Sequence, residues 1–501
     1  MKNIGRFRSF KIDYLFFCLM PAIGLFYYFE RMFGKLMVRR NYTAFFLFIG
    51  LLSHNAGHAQ VISTEQSYAA NSPAVAMVQT VFSANVYVNK VEMNQRRFNQ
   101  LVDSVQRLDT TGTMFSAEEK LDIVVKALYN RPFRFFSATP QYFRQRHRIL
   151  SSGTGFFITG DGYLITNAHI IDRDSSFIRR KFTLSTFQEV TEANIKALQE
   201  SWAMVLNDEQ RNLLNNAYSA IYSQVSSMIL FDLQREIYVQ FRTDDGDDKL
   251  KTKRLPARVI IKGTPMPGKD VALLKIDSVF QLPTLPLSRE TSTRIGEQVL
   301  VYGYPEPVTS NTFLARETNI EPTLTSGIVS AVKRSVGGWP VIQMDAVITH
   351  GSSGSPVCNN RGEVIGLATF GSLEQKTGSL ASGFNFAIPV SIIRSFLDSA
   401  KVDTKMSQAA LAFNRALSFF YSGYYTKALK RFSGVRKINE EYPQLSYYIE
   451  MSSKKMSTGE DRDTIQRRSV FRLVALGFII GGLLIYSRWK WKANRNKTIL
   501  N

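Results

Sequence analysis

Cysteine is nearly absent from this 501-residue chain: there are two, Cys18 and Cys358. So few, and so far apart, they build neither a disulfide framework nor a cysteine-based metal site. Cys358 follows Pro356-Val357 in an apparent strand and reads as a small buried hydrophobe. Histidine is almost as scarce. Two of the five lie before residue 60, which leaves His147, His169 and His350. Zinc-finger spacing, a P-loop and an aromatic RNA-binding signature are all missing. The excess of 62 Lys/Arg over 41 Asp/Glu is therefore not read as a nucleic-acid footprint. No cofactor motif is present, and no metal is called for.

The net charge of +21 is unevenly spread. Residues 1–59 hold eight Lys/Arg against two Asp/Glu, and Arg488, Lys490, Lys492, Arg495 and Lys497 cluster in the tail. Basic clusters beside apolar runs point to membrane topology. The stretch "MVRRNYTAFFLFIGLLSHNAGHAQ", from Met37, has the parts of a secretory signal. Arg39 and Arg40 form its charged region, residues 44–52 its apolar region, and Gly57 and Ala59 the small residues for cleavage after Ala59. Met37 itself is a candidate start; an uncleaved pair of membrane segments is the alternative. Near the other end, residues 470–486 form an apolar run interrupted by Arg472 and flanked by Tyr486, Trp489 and Trp491. This reads as a transmembrane helix at 469–487 with a basic cytoplasmic tail at 488–501. The rest then faces the periplasm or exterior of a cytoplasmic membrane.

A chain of this length divides into two or three units. Between 60 and 400, short runs such as "TGFFIT", "YLIT", "VALLKI", "QVLVYG" and "EVIGLAT" are separated by Gly, Pro, Asn and Asp, as in an all-β sandwich or barrel. Two helical insertions interrupt them. One, at about 91–130, contains the capping box Ser116/Glu119. The other, at about 188–236, is a hairpin with apolar stripes Ile195, Leu198, Trp202, Val205 and Leu214, Ala217, Ile221, Val225, Met228. Residues 405–457 are helical and similar to a single tetratricopeptide repeat, with Gly423-Tyr424 at a turn and Ala428 and Phe432 four apart. One repeat does not bury its apolar face alone, so a partner surface is expected for it.

Chemistry concentrates in three stretches. His169 ends a strand in "GTGFFITGDGYLITNAHII", in position for a general base. Asp270 stands at the mouth of the apolar strand in "GKDVALLKI", where a carboxylate can hold an imidazole N–H. Ser353 lies in "THGSSGSPV" as the candidate nucleophile. Gly351 and Gly354 let that backbone curl, so that the N–H groups of Gly351 and Ser353 converge on a developing oxyanion.

These stretches, with "LVYGYPEPV", "TLTSGIVSAV", "QMDAVITHGSSGSPVCNNRGEVIGLAT" and "FNFAIPVSII", resemble in order the trypsin-like serine proteases of the HtrA type. The resemblance covers about 72–400 outside the insertions. It implies a chymotrypsin-like double β-barrel, mainly β, with His169, Asp270 and Ser353 as the triad of an endopeptidase acting on protein or peptide substrates. It also implies Val347, six residues before Ser353, as the base of the pocket for the residue preceding the scissile bond, with an apolar preference. This chain departs from the pattern at Ser355, where glycine is usual, and at Thr349-His350, where Asn-Pro is usual. The stretch "FRFFSATPQYFRQRHR" takes the place of a long regulatory loop, and the repeat-like segment takes the place of a PDZ domain. The competing expectation is the same fold without catalysis, a scaffold or sensor binding protein partners through the insertions or the repeat-like segment. The export reading has its own check: N-terminal sequencing of the mature protein should begin near Gln60, and a start upstream of residue 50 contradicts cleavage.

Overall fold

The computed structural model describes residues 62–465, apart from 109–113, 226–228, 245, 247–250, 291–292, 316–319 and 374–379, together with scattered positions between 475 and 490. Strands β1 (Val75–Met93), β2 (Phe136–Phe157), β3 (Tyr163–Thr166), β4 (Ile229–Thr243), β5 (Lys251–Lys262) and β6 (Ala272–Ile276) close one barrel in the order β1-β2-β3-β6-β5-β4. Strands β7 (Gln298–Gly303), β8 (Thr323–Arg334), β9 (Pro340–Met344), β10 (Pro356–Cys358), β11 (Val364–Leu373) and β12 (Leu380–Pro389) close a second, in the order β10-β11-β12-β9-β8-β7.

The apolar runs of β3, β6, β7 and β10 are continuous because these strands are buried on both faces. Side chains alternate across a strand. Phe157, Leu164 and Leu274 fill the first barrel, while their neighbours Phe156, Ile165 and Leu273 face the other way. In the second barrel Val299 and Val301 point inward, and Leu300 and Tyr302 join Phe156, Ile165 and Leu273 in a shared core. That core welds the two barrels and leaves the ends of their loops to form a cleft.

The helices are α1 (Thr64–Asn71), α2 (Gln95–Gln106), α3 (Ala117–Asn130), α4 (Pro132–Phe135), α5 (Ala168–Ile171), α6 (Ser175–Trp202), α7 (Asp208–Val225), α8 (Glu306–Thr309), α9 (Val390–Ser399), α10 (Gln408–Tyr421), α11 (Tyr425–Ile438) and α12 (Leu445–Ser457). The first insertion is α2 and α3, with the Ser116/Glu119 capping box formed. The second starts earlier than its periodicity indicated, at Ser175, and ends sooner. Residues 229–236 belong to β4, where they pair with β1. Ile195, Leu214, Ala217 and Ile221 are buried, whereas Val205 is exposed; Met228 lies outside the described residues. Both insertions contribute to one apolar core, in which Val125, Leu128, Phe182, Leu214 and Ile221 pack with Phe82, Val86 and Val88 of β1. The "FRFFSATPQYFRQRHR" stretch is mostly strand: Tyr142–Arg148 pair residue by residue with β1. Its alternating polar and apolar side chains suit a ribbon with one face on the insertion helices.

Helices α10–α12 form a third body. Phe413 lies against Phe432, Tyr442 and Tyr448 at ring-centroid distances of 5.5, 4.6 and 5.9 Å. The surface that a lone helical pair would expose is covered by α12 and by α1, whose Ala69 belongs to the same core. Bonds tie this body to the first barrel, among them Ser407 N–H to Thr284 Oγ1 (3.0 Å) and Ser446 N–H to Asp244 Oδ2 (2.6 Å).

The expected fold class needs one correction. Among the described residues no helix is long and apolar enough to cross a membrane, so the transmembrane element does not stand, and what remains is two β-barrels with helices. The run at 470–486, broken by Arg472, is short of the roughly 20 residues a span requires. Most of 469–487 and of the tail, and all of the leader at 1–59, lie outside the described residues. Phe413→Ala should lower unfolding stability by about 3–5 kcal/mol, read by urea denaturation. A loss within error would show that α10–α12 unfold independently of the barrels.

Candidate active site

The first barrel supplies a histidine and a carboxylate. β3 ends at Thr166, and the chain turns through Asn167 into the single helical turn α5, which carries His169. Asp270 precedes β6, the partner strand of β3, and the pairing of Thr166 with Ala272 brings the two ends together. Asp270 is fully buried. A carboxylate so placed keeps its charge only if donors surround it, and it has three. The His169 backbone N–H donates to Oδ1 at 2.8 Å, His169 Nδ1 lies 2.6 Å from Oδ2, and the Thr369 hydroxyl donates to Oδ2 at 2.8 Å. Asn167, also buried, donates to the Asp270 carbonyl at 2.7 Å. With Nδ1 committed to Asp270, Nε2 is the ring nitrogen left for proton transfer.

The second barrel supplies the serine. Residues 349–355 form the loop into β10, and two positive-φ glycines shape it: Gly351 at +88° and Gly354 at +87°. Neither tolerates a side chain, since an added Cβ would lie 2.3 Å from the Tyr304 carbonyl oxygen or 1.9 Å from that of Thr154. Thr154 fastens the loop to β2. Its N–H donates to the Ser353 carbonyl at 2.7 Å, its hydroxyl donates to the Gly351 carbonyl at 2.8 Å, and the same oxygen accepts the Tyr304 N–H at 3.0 Å. With their carbonyls drawn to Thr154, the N–H groups of Gly351 and Ser353 have no acceptor among the described residues. The Ser353 hydroxyl donates to the Thr369 carbonyl at 3.0 Å.

A cleft of about 730 Å³ holds His169, Asp270, Gly351, Ser353 and Thr369 in its lining. Ile348 and His350 line it from the serine loop, and Arg173, Phe177, Ile178 and Lys181 line it from α6 and the turn before it. Val347 is not among them. It is more than half exposed and lines a separate cavity of about 200 Å³ with Val301, Pro305, Val308 and Thr325. Side chains alternate here, Ala346 and Ile348 buried, Val347 and Asp345 exposed. Ser355 is buried against Gly303, at which a Cβ would sit 2.1 Å from its hydroxyl oxygen. The departure from glycine at 355 is thus accommodated by a glycine across from it. Cys358 is buried, and burial pushes its thiol well above the usual range, in keeping with an inert core residue.

Sequence reasoning missed three site residues. Thr154 stands between the glycines of "GTGFF", Asn167 precedes Ala168-His169, and Thr369 ends "GLAT". A small polar residue within or at the end of an otherwise apolar strand was the available signal.

Residues 153–367 match the family model for the trypsin-like peptidase domain. Among curated proteins, serine endoprotease DegS of Salmonella typhimurium is 33% identical over 133 residues, 26% of this chain and 34% of the relative. Mitochondrial serine protease HTRA2 of Bos taurus is 38% identical over 138 residues, 26% of each. Serine protease HTRA4 of Mus musculus is 28% identical over 257 residues, 50% of this chain and 34% of the relative. The chain thus spans between about a quarter and about a third of the length of these relatives. A solved structure of the HtrA-type protease AlgW with decapeptide aligns over 68% of each chain at 20% identity, with a TM-score of 0.33, too slight a likeness to bear on the fold. Residues 153–367 are accordingly similar to a trypsin-like peptidase domain, and the three curated relatives are serine proteases.

Thr369→Val keeps the shape of the side chain and removes one of the three donors to Asp270. Unfolding stability should fall by about 1–3 kcal/mol, measured by urea denaturation. An unchanged midpoint would mean that the hydroxyl is not needed to hold the buried carboxylate.

Proposed function

We propose that this chain is a serine endopeptidase of the HtrA kind. The observation that carries the reading is the convergence, at one cleft, of the Asp270–His169 pair of one barrel with Ser353 of the other, beside two unengaged backbone N–H groups. In this reading the Ser353 hydroxyl turns from the Thr369 carbonyl toward His169 Nε2. It then attacks a peptide carbonyl as His169 takes its proton. The N–H groups of Gly351 and Ser353 receive the oxyanion, and Asp270 stabilises the imidazolium. His169 returns the proton to the departing amine, and water hydrolyses the acyl-enzyme. Ile348 in the cleft wall supports an apolar residue before the scissile bond. That substrates are exported or envelope proteins joins the proposal on the signal-like sequence at 37–59.

A catalytically idle scaffold is the second reading, and one contact favours it: the Ser353 hydroxyl is bonded to Thr369 rather than to His169. A fluorophosphonate probe on the full chain separates the two. The wild type should label, and Ser353→Ala and His169→Ala should lower labelling by at least about a hundredfold. A folded wild type that does not label, in isolation or in membranes, leaves the scaffold.

A further inference from the structure

The second insertion reaches the cleft with more than apolar packing. Arg173, four residues after His169, donates from Nε and Nη2 to the Ser151 hydroxyl at 3.3 and 3.2 Å. Its guanidinium carbon lies 5.3 Å from the centroid of the Phe177 ring. Lys181 Nζ lies 6.0 Å from the same centroid. Two cations thus share one aromatic ring, and all three side chains line the cleft that holds Ser353.

Neither cation forms an ion pair among the described residues. The adjacent carboxylate, Asp172, is engaged by Arg235 and Lys262, and Asp174 bonds the Ser176 hydroxyl. Asp270 is enclosed by its three donors. Glu306 lines the cleft from α8, where its N–H donates to the His350 carbonyl, beside the serine loop. Positive charge therefore collects on the His169 side of the cleft. A fixed guanidinium with spare N–H donors, on a partly desolvated wall, fits a carboxylate.

The mechanism fixes which half of a substrate meets this wall. The acyl half joins Ser353 beside Ile348, Gly351 and Thr369. The departing amine must lie where His169 Nε2 can protonate it. Ser151, Arg173, Phe177 and Lys181 line the cleft with His169, and Arg173 follows His169 by four residues on the same segment.

We propose that Arg173, Phe177 and Lys181 form a carboxylate-binding subsite for the leaving half of the substrate, within about three residues after the scissile bond. The carboxylate has two possible sources, an Asp or Glu side chain or the free C-terminus of a short leaving peptide. The proposal rests on the endopeptidase reading for its orientation, but the binding itself does not need catalysis.

The test uses the full chain with Ser353→Ala, so that nothing is cleaved, and fluorescein-labelled peptides matched except at one group. One carries Glu with an amidated end, one Gln with an amidated end, and one Gln with a free C-terminus two residues on. Anisotropy should show about tenfold tighter binding of a carboxylate-bearing peptide than of the Gln amide at low salt. The preference should shrink several-fold between about 0.05 and about 0.5 M salt. A gain by the Glu peptide alone assigns a side-chain subsite, and a gain by the free acid assigns the C-terminus. Lys181→Gln, at an exposed position, should reduce the preference, Arg173→Lys should retain part of it, and Arg173→Gln with Lys181→Gln should abolish it. Equal binding of all three peptides, no detectable binding of any, or a preference untouched by these substitutions overturns the proposal. Fluorophosphonate labelling of the wild type is scored separately. Carboxylate-selective binding without labelling refutes the endopeptidase and keeps the subsite, whereas labelling without selectivity does the reverse.

Discussion

A carboxylate removed from water must find its compensation in fixed donors, and at Asp270 those donors come from both barrels. His169 reaches it from within the first barrel through two bonds, and Thr369 reaches it from β11 of the second. The charge is therefore satisfied only when the barrels are docked. The shared core of Phe156, Ile165, Leu273, Leu300 and Tyr302 supplies the non-directional part of that docking, and Asp270 supplies its register. Thr154 repeats the device from the opposite direction, a first-barrel residue that holds the serine loop of the second.

Thr369 gives the arrangement a further property. Its hydroxyl serves Asp270 while its carbonyl accepts the Ser353 hydroxyl. A displacement of β11 at this residue acts on Asp270 and on Ser353 together. The same residue that braces the charge on one side keeps the serine turned away from His169 on the other.

Much of this was legible in the sequence, and the failures share a cause. An all-β domain could be read because many of its strands are short, apolar and punctuated by turn residues, and its division into two barrels was what the resemblance implied. His169, Asp270 and Ser353 stood out because each sits at a strand end beside such a turn. What escaped were features set by partners rather than by local pattern. The stretch "FRFFSATPQYFRQRHR" looked like a loop because the polar residues it gives to β2 only make sense on a ribbon paired with β1. Residues 229–236 fell within the bounds of the helical hairpin on paper, yet β1 recruits them as strand. Val347 was selected by counting back from Ser353, a count that carries no information on burial, and the neighbouring Ile348 is the one that lines the Ser353 cleft. Thr154 and Thr369 matter through single bonds across the barrel interface, which no periodicity records. The apolar run near the C-terminus carried the hydropathy of a span but not its length.

The joint core of α1 and α10–α12 bears on where this chain can be divided. Ala69, before the first strand, packs with Phe413 and Tyr442, from beyond the last. Tyr68, one residue away, donates to the Pro322 carbonyl in the second barrel, and Gln444 donates to Ser72. The two ends of the double barrel are thereby clasped by the segment that follows it. A truncation at residue 405 would strip apolar surface from α1 and loosen the entry into β1, the strand that runs through both the barrel and the insertion core. In this protein the helical segment is a buckle on the barrels rather than an appendage to them.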